Sequence, residues 1–168
     1  MMSLPEALGG TGLVVWRLDQ NKHASSWNTG QGAFLNGGRW NRPGTRAVYC
    51  AFSAATAVLE VAVHKGFGAL DAVRHTLTAL QILDAASIRV VRPEEVPNAN
   101  WLRPGMPSAA QQAFGDDLLN THAFVALPSA VAQRSWNLIF VDTRAASAYR
   151  FLHQEDFALD TRLNPPSA

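Results

Sequence analysis

Five side chains with the chemistry to bind and cleave a nucleotide are scattered along this chain of 168 residues. They are two arginines, a tyrosine, a glutamate and a serine: Arg17, Arg39, Tyr49, Glu60 and Ser129. Arginine grips phosphate through a planar fork of N–H donors, and a carboxylate can stabilise the positive charge that develops as a glycosidic bond breaks. These residue types predict a site that binds an anionic nucleotide and cleaves a glycosidic bond, if the fold brings them together.

Glu60 and Arg17 each allow two interpretations. Glu60 lies seven residues into a predicted helix that carries little charge, so it is either a cleft residue or a solvent-facing partner of His64, four residues further on. Arg17 is predicted to end an apolar strand, where sheets present ligand groups. Alternatively, Arg17 is an exposed arginine whose aliphatic stem covers Trp16.

The other three candidates are equally open when each is taken alone. Arg39 follows two glycines that would let the backbone approach a ligand, but the same run could be an ordinary turn. The ring of Tyr49 could stack on a planar heterocycle or simply fill the core. Ser129 follows Pro128 and could cap a turn, and no G-x-S-x-G pattern surrounds it, so a serine nucleophile is not supported.

Strands outnumber helices in the predicted elements and do not alternate with them strictly, which favours the α+β class. The β-branched and aromatic runs predict strands at residues 13–18, 47–52, 74–83, 88–91, 123–127 and 136–141. Ser53 is predicted to cap a helix that Gly66 stops, and Ser108 with Gln111 forms a capping box that opens a helix to residue 120. Four remaining segments are predicted as an irregular stretch (20–46), a proline-rich loop (93–107), a helical turn (145–149) and a final strand or tail (151–163).

The composition excludes several classes of protein. A net charge of +1 argues against nucleic-acid binding, and no run of 18 apolar residues or signal peptide is present, so a cytoplasmic protein without a membrane span is expected. The single Cys50 excludes a disulfide framework, and the histidine spacing predicts no metal site. Only 16% of residues are charged, which is a hint that another chain covers part of the surface.

The ordered set resembles the RES-domain family, named for its Arg, Glu and Ser. The matching stretches are Trp16-Arg17, Gly37-Gly38-Arg39-Trp40-Asn41 with Gly44, Tyr49 with Ser53 and Ala54, Leu59-Glu60-Val61 with His64, and Leu127-Pro128-Ser129-Ala130-Val131 leading to Asn137. The family's pattern continues after the asparagine as a Leu-Phe-Asn-Pro-x-His run. Here Asn137 is followed by Leu-Ile-Phe-Val-Asp-Thr-Arg, without the Asn-Pro and the His.

The resemblance implies a compact fold similar to ADP-ribosyltransferases, with a mixed, mainly antiparallel β core and a few flanking helices. We expect one such domain at residues 13–163, a flexible arm at 1–12 and a loose tail at 164–168. The family further implies a bacterial toxin that depletes NAD+ as a glycohydrolase or phosphorylase and is neutralised by an Xre-type helix-turn-helix antitoxin. A homodimer within the toxin–antitoxin complex is also expected. NAD+ would be the substrate, with no prosthetic group and no metal.

Within that resemblance, Glu60, Arg17 and Ser129 would be catalytic. Arg17, Arg39, Tyr49, Ser129 and Asn137 would bind NAD+, with the two arginines on its pyrophosphate. One alternative is a protein mono-ADP-ribosyltransferase that uses NAD+. An alternative of another class is an inactive module that binds NAD+ or a partner, which the missing Asn-Pro-x-His run would favour.

Overall fold

The structure, a computed structural model, describes residues 13–167. The predicted arm at residues 1–12 and the last residue of the predicted tail lie outside this range. The strands are β1 (Leu13–Gln20), β2 (Ala47–Ala51), β3 (His75–Ile82), β4 (Ile88–Val90), β5 (Phe124–Pro128), β6 (Trp136–Val141) and β7 (Tyr149–Phe157). The α-helices are α1 (Gln31–Asn36), α2 (Ala54–Lys65), α3 (Phe67–Ala72), α4 (Ala109–Thr121) and α5 (Asp142–Ala145).

The seven strands form one sheet in the order β4-β5-β6-β2-β1-β3-β7. All neighbours are antiparallel except β4 and β5, which run parallel and are connected through α4. A crossover of this kind is what a parallel pair requires. The predicted α+β class with a mainly antiparallel sheet is confirmed.

The sheet has two well-paired halves that meet at a narrow junction. β1 pairs with β3 along its whole length, and β2 pairs with β6 along its whole length, but β1 and β2 share only the Trp16–Ala51 pair. Beyond that pair, the residues of β1 and β2 are no longer paired with each other. Helix α2 packs beside this junction, where Ala62 is buried with Leu18 of β1. The junction therefore brings α2 next to the ends of both halves.

Three apolar clusters cover the sheet. One face packs side chains of β2, β5 and β6 against Trp27 and Tyr149, whereas the other face packs Val125, Leu127 and Ile139 against Trp40 and α4. The third cluster lies between α2, α3 and the β1–β3 pair. Burial of this apolar surface is the main term that stabilises the fold.

The predicted elements with a clear period or cap are confirmed. The six predicted strands are present to within three residues at either end, and Trp136–Val141 is reproduced without change. Helix α2 begins after Ser53, whose hydroxyl accepts a hydrogen bond from Thr56 N at 3.1 Å, and it ends at Gly66. These signals are local, so they can be read from residues that are close together in the sequence.

Several predictions about segments were wrong. Residues 20–46 are not irregular throughout, because they contain a 3-10 turn at Asn21–Ser26 and the helix α1, which Gly37 ends at φ 73°. A six-residue helix is too short to show a period of 3.6. The helical turn lies at Asp142–Ala145 rather than 145–149, and Tyr149 already begins β7. Helix α3 was not predicted at all.

Two further corrections concern particular side chains. Arg17 does not end its strand, because β1 continues to Gln20 and Arg17 pairs with Thr78 of β3. The capping box at α4 is half formed. Ser108 accepts from Gln111 N at 3.1 Å, but the Gln111 side chain donates to Trp101 O instead of reaching back. The Gln111 side chain therefore donates to a tertiary acceptor instead of accepting from the Ser108 backbone N–H.

Candidate active site

Glu60 stands at the centre of a cluster built from three elements. Ser129, the first residue after β5, donates from Oγ to Glu60 Oε1 at 2.8 Å. Asn137 of β6 donates from Nδ2 to the same oxygen at 2.6 Å. We call these three residues the carboxylate cluster. The predicted convergence of Glu60, Ser129 and Asn137 is therefore present, although 69 and 77 residues separate Glu60 from its two partners.

Ser129 is oriented by its own turn. It is 5% exposed, and its Oγ accepts hydrogen bonds from Val131 N at 3.2 Å and Ala132 N at 3.0 Å. Because two N–H groups occupy the acceptor side of the hydroxyl, its single proton is directed to Glu60. The predicted alternative of a turn cap is thus also correct, and one hydroxyl does both.

The second carboxylate oxygen of Glu60 is available. Among the described residues, all hydrogen bonds to this side chain reach Oε1, and none reaches Oε2 or comes from His64. The interpretation as a solvent-facing Glu–His pair is therefore wrong. Fixing one oxygen sets the direction of the carboxylate and leaves the other oxygen to accept from a ligand.

Asn137 has an unused polar atom at this site. The residue is 8% exposed, and its Oδ1 has no hydrogen-bond partner in the described part of the chain. A buried acceptor without a partner costs free energy, and such atoms are uncommon away from functional sites. The amide of Asn137 therefore donates to Glu60 from its nitrogen, while its buried oxygen has no partner among the described residues, which costs free energy.

Arg17 lies at the junction of the two half-sheets. Its Nε and Nη2 donate to the two carboxylate oxygens of Asp19 at 2.8 and 2.7 Å, and its Nη1 donates to Tyr49 O at 2.9 Å. Arg17 thus links β1 to β2 where their pairing ends. Asp19, which the sequence analysis did not single out, occupies the two-point fork of this arginine.

Arg39 lies on a loop of residues 37–46, the arginine loop, and its guanidinium faces a second loop. Nη1 donates to Trp101 O at 3.2 Å and Arg103 O at 3.4 Å, and Nη2 donates to Gly105 O at 3.0 Å. Guanidinium has five N–H donors. Among the described residues nothing accepts from Nε, so the edge formed by Nε and the remaining Nη2 proton is left for a ligand.

Tyr49 connects the arginine loop to the sheet. Its hydroxyl donates to Asn41 Oδ1 at 2.7 Å and accepts from Trp40 N at 3.0 Å. Burial raises the pKa of the phenol well above its usual value of 10.0, and the hydrogen bond from Trp40 N partly opposes this. The negative charges of Asp116 and Glu60 raise this pKa further, and the positive charge of Arg39 lowers it.

Asn41 is a residue of this site that the sequence analysis quoted only within a motif. It is fully buried, and its Nδ2 donates to the carbonyls of Ala33, Arg42 and Thr45. One amide therefore closes the arginine loop on itself. The sequence signal for this role was its place three residues after Gly38 in a turn-like run, where an asparagine side chain can hydrogen-bond to nearby backbone.

The predicted residues thus form two groups rather than one. The carboxylate cluster forms one group, and Arg17, Tyr49 and Arg39 form the other through backbone and loop contacts. Neither arginine hydrogen-bonds to the carboxylate cluster among the described residues.

The described part of the chain has neither a cluster of metal ligands nor a membrane-spanning helix. Within residues 13–167, no three His, Cys, Asp or Glu side chains come together in the way a metal ion would need. None of the helices in that range is both long enough and apolar enough to cross a bilayer.

Comparison with known proteins assigns the family. The model of the RES domain matches residues 14–161, which includes all the predicted site residues. The chain belongs to the RES domain family. Its relatives include a protein named Toxin Res from Photorhabdus laumondii, 32% identical over 158 residues, with 90% of this chain and 97% of the relative covered. The resemblance of the sequence to this family is confirmed.

Two other comparisons add to this. A Sphingobium protein named Prs ADP-ribosylating toxin is 31% identical over 130 residues, which cover 74% of this chain and 79% of the relative. A chain in the crystal structure of the M. tuberculosis MbcT–MbcA toxin–antitoxin complex superposes with a TM-score of 0.69 at 19% identity, over 93% of this chain and 94% of that one. At that identity the superposition supports the shared fold.

Proposed function

We propose that this RES domain is a toxin that cleaves the nicotinamide–ribose bond of NAD+. The observation that carries the proposal is the carboxylate of Glu60, held at Oε1 by Ser129 and Asn137 with Oε2 available. Membership in the RES domain family and the relatives named as toxins support it. An oriented, partly buried carboxylate is suited to a reaction in which positive charge develops on a sugar.

The reaction breaks the bond between C1′ of the ribose and the pyridinium nitrogen. The electron pair of that bond goes to nitrogen, so nicotinamide leaves as a neutral molecule while positive charge develops on the ribose. Glu60 would accept a hydrogen bond from a ribose hydroxyl and stabilise this charge. Ser129 would hold the carboxylate and contact the nicotinamide ribose. Water or phosphate would then form the new bond to C1′.

The arginines would bind the pyrophosphate. Arg39 has a free Nε edge, which matches a phosphate in two-point geometry. Arg17 has three N–H groups occupied by Asp19 and Tyr49, so it would contribute its remaining donors and its charge. Tyr49 would lie beside the nicotinamide ribose.

Protein mono-ADP-ribosylation is a second candidate, because one relative is named an ADP-ribosylating toxin. The same bond would break, and a side chain of a target protein would replace water. Radiolabelled NAD+ mixed with cell lysate separates the two: a labelled protein band indicates transfer, whereas free ADP-ribose or its phosphate indicates NAD+ loss.

The direct test is NAD+ consumption by purified protein in phosphate buffer, with Glu60→Ala as the inactive control. We expect loss of NAD+ and release of nicotinamide for the wild type alone. If the wild type bound NAD+ without turnover, the chain would instead be a binding module. If it left NAD+ intact and did not label any protein, the proposal would be wrong.

An Xre-type helix-turn-helix antitoxin is the proposed partner. The structural neighbour comes from a toxin–antitoxin complex, and α2 exposes 38% of Leu59 and 61% of Val63 on either side of Glu60. Apolar side chains at the edge of a site are suited to a protein partner. Copurification of the two chains when they are coexpressed, with NAD+ consumption suppressed in the complex, would test this. A homodimer within that complex is a further proposal, which the low charge content supports.

A further inference from the structure

Asp116 of α4 is a buried carboxylate whose partners all belong to the arginine loop. Its Oδ2 accepts from Arg42 Nε at 2.8 Å and from Arg42 N at 3.4 Å, and its Oδ1 accepts from Thr45 Oγ1 at 2.8 Å. The residue is only 5% exposed. The hydrogen bonds made by this side chain are therefore directed at one loop, across 71 to 74 positions of sequence.

Two neighbours of Asp116 on the same helix also contact that loop. Gln112 Nε2 donates to Gly38 O at 2.9 Å. At Gly115 a Cβ atom would lie 1.9 Å from Trp40 O, so only glycine allows the loop backbone to approach this closely. Positions 112, 115 and 116 share one helix face by their i, i+3 and i+4 spacing. One face of α4 thus packs against the arginine loop at Gly38 and Trp40, the residues on either side of Arg39.

A purely stabilising ion pair does not account for this arrangement. The side chain of Arg42 is 58% exposed and would be well solvated without Asp116, whereas that of Asp116 is 7% exposed. Removing a carboxylate from water costs free energy that a single pair often fails to offset. Asp116 instead fixes the position of the loop, since it holds Arg42 and Thr45, three and six residues after Arg39.

We propose that Asp116 is a positioning residue, which holds the arginine loop so that the free edge of Arg39 is preformed for the pyrophosphate of NAD+. This proposal rests on the proposed function and deepens it. Asp116 itself would not touch the substrate. It would act on binding through Arg39 and leave the carboxylate cluster, which performs the chemistry, unchanged.

The test compares Asp116→Ala with Asp117→Ala, its exposed neighbour, whose carboxylate makes no hydrogen bond among the described residues. Two quantities are measured for each: the dissociation constant of ADP-ribose by calorimetry, and kcat and KM for NAD+. ADP-ribose carries the pyrophosphate but not the bond that is cleaved. We expect Asp116→Ala to weaken ADP-ribose binding and raise KM about tenfold, with kcat within about twofold, because the misplaced group contributes to binding. Asp117→Ala should match the wild type.

A second pair of variants keeps the test valid if Asp116→Ala folds poorly. Asp116→Asn retains an acceptor for Thr45, and Thr45→Val removes the same link from the loop side. Both should fall between the wild type and Asp116→Ala in ADP-ribose affinity. A merely structural role would lower the melting temperature or the number of binding sites while the folded fraction kept its dissociation constant, and that result would overturn the proposal.

The two proposals can fail separately. If the wild type neither cleaved NAD+ nor bound ADP-ribose, the proposed function would fail and the role of Asp116 with it. If the wild type did both, but Asp116→Ala bound ADP-ribose as tightly as Asp117→Ala, only the positioning role would be wrong.

Discussion

The carboxylate cluster and the arginine loop differ in which part of each is held by hydrogen bonds. In the cluster, Ser129 and Asn137 hold Oε1 of Glu60, and the group proposed to act on the substrate is the negative charge of this carboxylate. In the loop, the backbone is held by Asn41, Tyr49 and Asp116, while no described residue accepts from Nε of Arg39. In the proposed function, the cluster therefore contributes the charge of Glu60, and the loop contributes the position of the Arg39 guanidinium. Changes in the two regions should affect different kinetic constants.

Glu60→Gln should have the largest effect. Glutamine has the shape of glutamate and can still accept from Ser129 and Asn137 through its carbonyl oxygen. Only the negative charge is lost, so we expect kcat for NAD+ to fall by about 10²- to 10³-fold with little change in KM. Steady-state release of nicotinamide measures this, and a thermal melt checks the fold. Glu94→Gln, an exposed carboxylate, is the matched control. Wild-type kcat in Glu60→Gln would mean that the charge is not used.

Arg39→Lys should have the next largest effect, on KM. A lysine has no fork and would lose the two-point phosphate contact, so KM for NAD+ should rise roughly 10- to 100-fold, the equivalent of one charge-assisted hydrogen bond. Arg103→Lys, an exposed arginine on the facing loop, should leave KM unchanged. A fall in kcat with an unchanged KM would place Arg39 with the chemistry and remove the distinction between the two regions.

Ser129→Ala should lower kcat by about fivefold to tenfold, the loss of one hydrogen bond to a carboxylate that Asn137 still holds. Because Ser129 also accepts from Val131 N and Ala132 N, the melting temperature should fall as well. Ser129→Thr retains the hydroxyl and is the informative control. Equal loss of activity in both variants would indicate that the space around Ser129, not its hydrogen bond, matters.

Tyr49→Phe should have the smallest effect, a rise in KM of about threefold from the loss of the bonds to Asn41 and Trp40 N. Burial raises the pKa of Tyr49 above 10.0, so the phenol stays neutral between pH 7 and 10. The pH profile of kcat/KM over that range should therefore be the same in the wild type and in Tyr49→Phe. A basic limb present only in the wild type would contradict the assignment.

The same raised pKa has a consequence for stability. Above pH 10 the unfolded chain releases the phenolic proton before the folded protein does, so the free energy of unfolding falls as pH rises. The contribution is fully present below pH 10. Urea unfolding at pH 9 and pH 11 should show a smaller decline for Tyr49→Phe than for the wild type.

Much of the fold could be predicted from local signals. Strand β6 and the caps of α2 follow from residues adjacent in sequence, because a short run of apolar, β-branched and aromatic residues and a capping serine act over a few positions. Helices α1 and α3 have six residues each, too few for a periodic signal. Asp116 gave no signal either, since its partners lie on a loop more than 70 residues away.

By itself, the sequence determined the family, the class of fold and which residues could do chemistry, because side-chain types and local periods are properties of the chain. Only the tertiary structure decided how those residues are used. It placed Ser129 and Asn137 on one oxygen of Glu60 and Asp116 of α4 against the arginine loop, and among the described residues it put no acceptor at Nε of Arg39. Such choices depend on directions between distant elements, which packing sets and no local pattern records.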